Sequence, residues 1–341
     1  MNKNKSNSSL SFAPMLEHYF LTYLMTQKNV SPQTIATYRD SFSLYLGFLL
    51  AVSHISPEKI ELEHFSLSYL ESFGEYLEKK RLCCSSTINL RMASIKSFLR
   101  YALVEAPEYS DIIRKSLSLP CRKADKPVIA FLMKDEYEAM LDVCDDDVSE
   151  IGTRDKMMLM ILYNTGCRVS ELINVHVSDI MISKTPGTSS IHFYGKGRKE
   201  RTTPIWKTTA RYIQQYIESK GLVQKDRLFK NNQGMDLTRS GVGQRIALLA
   251  SKASSVIPSM KEKKITPHTF RHSAAMNLLQ AGVDISTIAI WLGHESIETT
   301  HKYMVADIEI KRKAMEKLEE PANNTFNYKP SKSILSFLES L

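Results

Sequence analysis

Two arginines, a lysine, two histidines and a tyrosine stand at spaced positions in the second half of this chain: Arg168, Lys196, His268, Arg271, His294 and Tyr303. They lie in five short segments: Thr165-Gly166-Cys167-Arg168-Val169-Ser170-Glu171-Leu172, Gly195-Lys196-Gly197, His268-Thr269-Phe270-Arg271-His272, Leu292-Gly293-His294, and Tyr303. The set offers cations, proton donors and one oxygen nucleophile. It lacks a carboxylate pair or cysteine cluster suited to a metal. Residues of these types suit one chemistry, the transfer of a phosphodiester bond onto a tyrosine oxygen.

Each type has a physical reason to be there. A phenol has a pKa of about 10, so Tyr303 attacks at neutral pH only with assistance. A phosphodiester attacked in line gathers charge on its non-bridging oxygens, and the forked, permanently charged guanidiniums of Arg168 and Arg271 match them. Lys196, in a glycine-bracketed turn, can bring an ammonium to the leaving 5′ oxygen as a proton donor. Arg198, Lys199 and Arg201 follow it and could instead donate that proton or contact flanking phosphates. Glu171, three residues after Arg168, could orient a histidine by accepting its N–H.

The elements that must position these side chains are legible in the pattern. Met157 to Tyr163 is an apolar helical stretch that stops at Gly166, just before Arg168. Thr266 can cap and Pro267 can open a helix that puts His268 and Arg271 on one face, with Phe270, Ala274 and Leu278 toward the core. Gly293 ends the apolar helix Ile285 to Leu292, and Ser296 can cap a short helix that leads to Tyr303. Between Ile173 and Ile205 the period changes. Val175-His176-Val177, Ile191-His192-Phe193-Tyr194 and Arg201 to Ile205 read as strands of a small sheet, with the basic turn between the last two. Helices are expected over Lys134 to Cys144, Thr153 to Gly166 and Thr208 to Lys220.

The first hundred residues read as a separate helical bundle, from Phe12 to Leu103. Ser31-Pro32 marks one helix start and Ser85-Ser86 another, and Phe65 to Leu77 is amphipathic. Thr34, Arg39, Arg91, Lys96 and Arg100 on that bundle are candidate phosphate contacts, which position DNA without reading sequence. The charged, proline-flanked stretch around Pro120 to Pro127 reads as a linker. The boundaries expected are a polar tail over 1–11, a helical domain over 12–107, a linker over 108–128, a second domain over 129–320 and a tail over 321–341. In that tail Ile334, Phe337, Leu338 and Leu341 share a helical face too short to stand alone, so it must dock on something.

With 341 residues, the chain fits two domains plus tails, and a formal net charge of +8 favours a polyanionic partner. Five cysteines, Cys83, Cys84, Cys121, Cys144 and Cys167, form no C-x-x-C pair and suit a reduced, cytoplasmic compartment as small buried side chains. No run of 18 apolar residues and no signal-peptide core is present, so neither a membrane span nor secretion is expected.

Taken together, these segments resemble the tyrosine recombinase (phage integrase) family, and within it the Xer-like and transposon-encoded members. The resemblance rests on Thr165–Leu172, Gly195-Lys196-Gly197-Arg198-Lys199-Glu200-Arg201, Thr266–His272, and Trp291-Leu292-Gly293-His294 leading to Tyr303. It covers nearly the whole chain. It implies a mainly α protein: an N-terminal SAM-like core-binding bundle, then a mixed α+β catalytic domain with a small antiparallel sheet. It implies that Tyr303 forms a 3′-phosphotyrosyl link, that Arg168 and Arg271 hold the phosphate, and that Lys196 is the general acid. His268 and His294 would assist proton transfer, with Glu171 in support. The resemblance further implies double-stranded DNA as partner, a tetramer on two sites (possibly a dimer on one), residues 333–341 docking on a neighbouring protomer, and no metal, ATP or other cofactor. An accessory DNA-binding protein without chemistry, a type IB-like topoisomerase and a metal-dependent nuclease are the alternatives. Neither the target DNA nor the biological role is legible.

Overall fold

A computed structural model of the protein describes residues 11–124, 130–183, 185, 188–195, 200–294 and 300. The chain divides into two compact units, Met1–Pro127 and Val128–Leu341. Lys196, Arg198, Lys199, Tyr303, the helix expected after Ser296 and the tail over 321–341 lie outside the described residues.

The first unit is helical. It contains α1 (Phe12–His18), which continues as wider π-helical turns over Tyr19–Gln27, then α2 (Pro32–Ser53), α3 (Leu67–Lys79), α4 (Ser85–Glu105) and α5 (Ser110–Leu117). The start of α2 follows the expected chemistry: Ser31 Oγ accepts from the Thr34 amide at 3.3 Å, with proline in the first turn. α4 starts at Ser85, with Cys84 rather than a serine in the cap position. Aromatic rings fill the core. Phe98 meets the edges of Phe12, Phe42 and Tyr19, each with centroids within 6 Å.

The stretch expected as a linker from residue 108 belongs, through Arg122, to this unit. Ile113 of α5 is fully buried in the aromatic core. Beyond α5, Lys96 Nζ donates to the Leu119 carbonyl. The Asn89 side chain makes two bonds with one backbone unit, donating to the Arg122 carbonyl at 2.9 Å and accepting its N–H at 2.8 Å. Arg122 also pairs with Glu78. The segment's charge suggested a solvated connector, but one amide and one carboxylate dock it.

The second unit is built round α7 (Glu150–Thr165), whose residues from Met157 to Thr165 are all buried. Around it pack α6 (Lys134–Asp145), α9 (Lys207–Lys220), α10 (Arg239–Ala253) and α11 (Pro267–Gln280); α8 (Val169–Leu172) is a single turn and α12 (Ile285–Leu292) closes the described part. Tyr137 of α6 and Tyr163 of α7 stack with ring centroids 3.8 Å apart. The sheet is antiparallel in the order β1 (Ile180–Met181), β2 (Ser190–Tyr194), β3 (Glu200–Pro204). Phe193 pairs with Arg201 and Ile191 with Thr203.

Val175-His176-Val177 is not the first strand. His176 forms an isolated bridge with Arg227, and Val177–Asp179 is a 3-10 turn in which Asp179 accepts the His176 N–H at 2.8 Å. The two valines owe their burial to the 226–228 segment: Leu228 N donates to Val175 O, and Val177 N to Asp226 O. Among the described residues, no group of His, Cys, Asp or Glu is placed to hold a metal, and no helix is long and apolar enough to cross a membrane.

Candidate active site

α7 ends on Gly166, which has φ +62. A side chain there would be strained, and its Cβ would come within 2.5 Å of Leu292 Cδ2 and 3.0 Å of Ala274 Cβ. The glycine therefore lets three helices, α7, α11 and α12, touch at one point. Cys167 follows, fully buried. Burial pushes its thiol up to about 12, so it stays a neutral packing group. Arg168 then opens α8.

Glu171 fixes Arg168. One of its oxygens takes the Arg168 N–H at 2.7 Å and the other the Arg168 Nη1 at 2.9 Å. Arg201, reaching in from β3, puts Nη1 and Nη2 on the same two oxygens at 3.0 and 2.8 Å. Burial pushes the Glu171 carboxyl up, but the Arg201 and Arg168 bonds outweigh it and hold the group below its ordinary value of 4.5. The expected role for Glu171, orienting a histidine, gives way to this one: its carboxylate lies between two guanidiniums.

The C-terminal end of α12 gathers the cations. Helix ends leave carbonyls without intrahelical donors and carry partial negative charge. Here three successive carbonyls receive three arginines. Arg201 Nε donates to Trp291 O at 2.9 Å, Arg271 Nη2 to Leu292 O at 2.6 Å and Arg168 Nη2 to Gly293 O at 2.9 Å. Arg271 also donates through Nη1 to Gly166 O at 2.7 Å. Gly293 has φ +64, and the Arg201 guanidinium lies against it, 3.2 Å from where a Cβ would stand. His294 leaves this helix end with its N–H on Ala289 O, and its Nδ1 is hydrogen-bonded to Thr300 Oγ1 at 2.7 Å.

Two guanidiniums thus hold one carboxylate and a third, Arg271, joins them at the helix end, leaving a positive surplus among these four side chains. Arg168 stays about one-third exposed, whereas Arg201 is 10% exposed and Glu171 2%. His268 sits one turn before Arg271 at the start of α11, where Thr266 caps as expected, paired with Thr269 in a capping box around Pro267. Arg271 is as buried as its core-facing neighbour Ala274, whereas His268 is exposed and His272 half-buried. The arrangement can hold an anionic, tetrahedral group beside a histidine.

Of the sequence-derived site residues, Arg168, Glu171, Arg271 and His294 converge, and His268 shares the Arg271 helix. Two expected phosphate contacts are engaged inside the protein instead: Lys96 holds the Leu119 carbonyl and Arg201 the Glu171 carboxylate. Arg91 donates to Thr37 O and Ser41 Oγ, and Thr34 belongs to the α2 cap. Arg39, paired with Asp40, and Arg100 are exposed. The inward turn of Arg201 had a signal: strand alternation puts it on the same face as Thr203 and Ile205, both buried.

Comparison with known proteins places the chain in a family. The phage integrase family pattern matches residues 130–309, and the N-terminal SAM-like domain of phage integrases matches residues 18–106. A putative integrase/recombinase, y4rC, of Sinorhizobium fredii is 35% identical over 97% of this chain and 98% of its own. The tyrosine recombinase XerD of Oceanobacillus iheyensis is 31% identical over 83% of this chain and 91% of its own. Among solved structures, the XerH site-specific recombinase in a post-cleavage complex with its difH substrate has a similar fold. Its TM-score is 0.68 at 20% identity, covering 92% of each chain. The Tn1549 transposon integrase, in complex with transposon right end DNA, follows with a TM-score of 0.66 at 19% identity over 88% of this chain and 98% of its own. With both halves matched and the arginines, histidine and helix ends arranged as described, this chain belongs to the phage integrase family of tyrosine recombinases.

Proposed function

We propose that the protein is a site-specific DNA recombinase in which Tyr303 is the nucleophile. The observation that carries this reading is the placing of Arg168 and Arg271 on adjacent carbonyls at the end of α12, beside His294. The Tyr303 oxygen attacks the scissile phosphorus, the bond to the 5′ oxygen breaks, and Lys196 gives that oxygen a proton. The products are a 3′-phosphotyrosyl link and a free 5′ hydroxyl. A 5′ hydroxyl from a partner strand reverses the step. The bond is conserved in the covalent intermediate, so ATP has no part to play. The guanidiniums neutralise the charge that a metal ion neutralises in other phosphoryl-transfer enzymes. His268 and His294 handle protons and hydrogen-bond the transition state.

The first unit serves as the core-binding domain, with Arg39 and Arg100 as exposed phosphate contacts and Thr34 and Arg91 as further ones; Arg198 and Lys199 act from the basic turn. Recombination of two sites requires four protomers, with residues 333–341 docking on a neighbour. What supports the DNA reading is the net charge and the family's solved complexes, in which relatives are bound to their substrates.

The test is covalent trapping. The protein is incubated in EDTA with nicked duplexes from the DNA flanking its own gene, beside Tyr303→Phe. An SDS-resistant adduct lost in the variant supports the reading. Tight, specific binding to those duplexes without an adduct would instead mark a DNA-binding accessory protein, and an adduct that persists in Tyr303→Phe would move the nucleophile. Relaxation of DNA without a specific site would mark a topoisomerase.

A further inference from the structure

Arg201 follows the basic turn and bears the charge of a phosphate contact, yet it spends its donors inside the protein. Nε holds the Trp291 carbonyl, and the two terminal nitrogens each hold one Glu171 oxygen. Its guanidinium lies 5.0 Å from the centre of the Phe193 ring, its cross-strand partner. It also covers Gly293, where the Cβ of any larger residue would stand 3.2 Å from Nη1 and push it aside. One side chain from β3 therefore touches both structures that set the site: the carboxylate that fixes Arg168, and the helix end from which His294 emerges.

We propose that Arg201 is a positioning residue for strand cleavage, holding Arg168 and His294 in register from the strand that leads out of the basic hairpin. The inference rests on the recombinase reading above. It separates Arg201 from its neighbours Arg198 and Lys199, which keep the phosphate-contact role. Lysine should not substitute: Arg201 reaches the carbonyl and the two carboxylate oxygens with three separate nitrogens, and one ammonium nitrogen cannot stand where all three do.

Two readouts separate positioning from DNA contact. The first is binding affinity across a salt series. The second is the rate of adduct formation on a nicked suicide duplex at saturating protein. They are measured for wild type, Arg201→Ala, Arg201→Lys, Glu171→Gln and the double variant Arg201→Ala/Glu171→Gln. Positioning predicts an unchanged salt slope and a saturated rate lower by about 10- to 100-fold, the usual effect of losing a residue that orients a reacting group. The Lys variant should be nearly as slow as the Ala variant, and the double variant no slower than the slower single one. A salt slope reduced by about 0.9, with the saturated rate unchanged, would make Arg201 a phosphate contact and overturn the inference. Should Arg201→Ala not fold, the Lys variant decides: wild-type speed overturns the inference. A wild-type protein that binds its duplex specifically and forms no adduct overturns the recombinase reading, and this inference with it.

Discussion

Among the described residues of the second unit, two buried carboxylates, Asp155 and Glu171, are each gripped by two arginines. Asp155 is fully buried on α7, with Arg154 at 2.8 Å on one oxygen and Arg245 of α10 at 2.6 Å on the other. Arg154 passes its remaining donors to Lys230 O and Asn232 Oδ1, so the trio ties α7, α10 and a loop together. Glu171 is also held by two arginines, but its neighbours end on the carbonyls of a helix terminus where a third arginine, Arg271, joins them. Burial and pairing are thus common to a strut and a site. What separates them is not solvent access, since Arg245 is 29% exposed and Arg168 32%, but the third arginine and the histidine gathered at the second place.

The largest break in the comparison should come from removing one arginine at each place. Arg168→Ala is expected to slow adduct formation by about 10²–10³-fold, as when a transition-state hydrogen-bond donor is lost. Arg245→Ala should leave the rate of the folded protein within a few-fold. Comparable rate losses from both would erase the distinction.

Stability should rank the two places the other way. Asp155→Asn leaves the buried Arg154 guanidinium facing a neutral group and should cost about 3–5 kcal/mol. Glu171→Gln should cost less, because the arginines it leaves still rest on the negative end of α12, while lowering activity more. Urea unfolding followed by tryptophan fluorescence reads this cleanly: the chain has two tryptophans, Trp206 and Trp291, both in the second unit.

Acid should loosen the Glu171 cluster. Glu171 is held below 4.5, as is Glu136, where burial is outweighed by bonds from Lys263, Ser259 and the Met133 amide. A carboxylate so depressed contributes its full stabilisation above about 4.5 and loses it as the pH falls below that value. Second-unit stability should therefore drop below that pH, and less steeply in Glu171→Gln. An equal slope in the variant would show that the Glu171 cluster does not carry the effect.

The smallest effect is a pair of natural reporters, since a buried cysteine lies beside each carboxylate. Burial and the neighbouring Asp155 push Cys144 up to about 12, and burial does the same for Cys167 beside Glu171. Both should resist alkylation at neutral pH. Cys84 is exposed and brought down to about 7 by the Ser86 and Thr87 hydroxyls, so it should react first. Mass mapping after brief alkylation checks the order. Asp155→Asn should then speed modification of Cys144 selectively, and Glu171→Gln that of Cys167.

Much of this architecture was legible because special residues mark where helices stop. Gly166 and Gly293 ended α7 and α12 where their left-handed conformations require, and Thr266-Pro267 opened α11. Those ends carry Arg168, His294 and His268, so the convergence of the site followed from punctuation. Charge was the poorer guide. Lys96, Arg201 and the stretch beyond residue 108 are charged and looked solvated, yet each finds partners distant in sequence, among them Leu119 O, Glu171 and Asn89. Such pairings have no local period. The strand misplaced at Val175–Val177 failed similarly, because β-branched residues pair as readily with an irregular segment as with a sheet.

The clasp of Asn89 on Arg122 has a practical consequence for taking the molecule apart. An N-terminal piece ending at residue 107, where the last long helix runs out, would lack Ile113 from its aromatic core and leave Lys96 and Asn89 without their backbone partners. A piece carried through Arg122 keeps all three. The shorter fragment should be the one that precipitates on expression, and the longer one the one that can be weighed, labelled and titrated by itself.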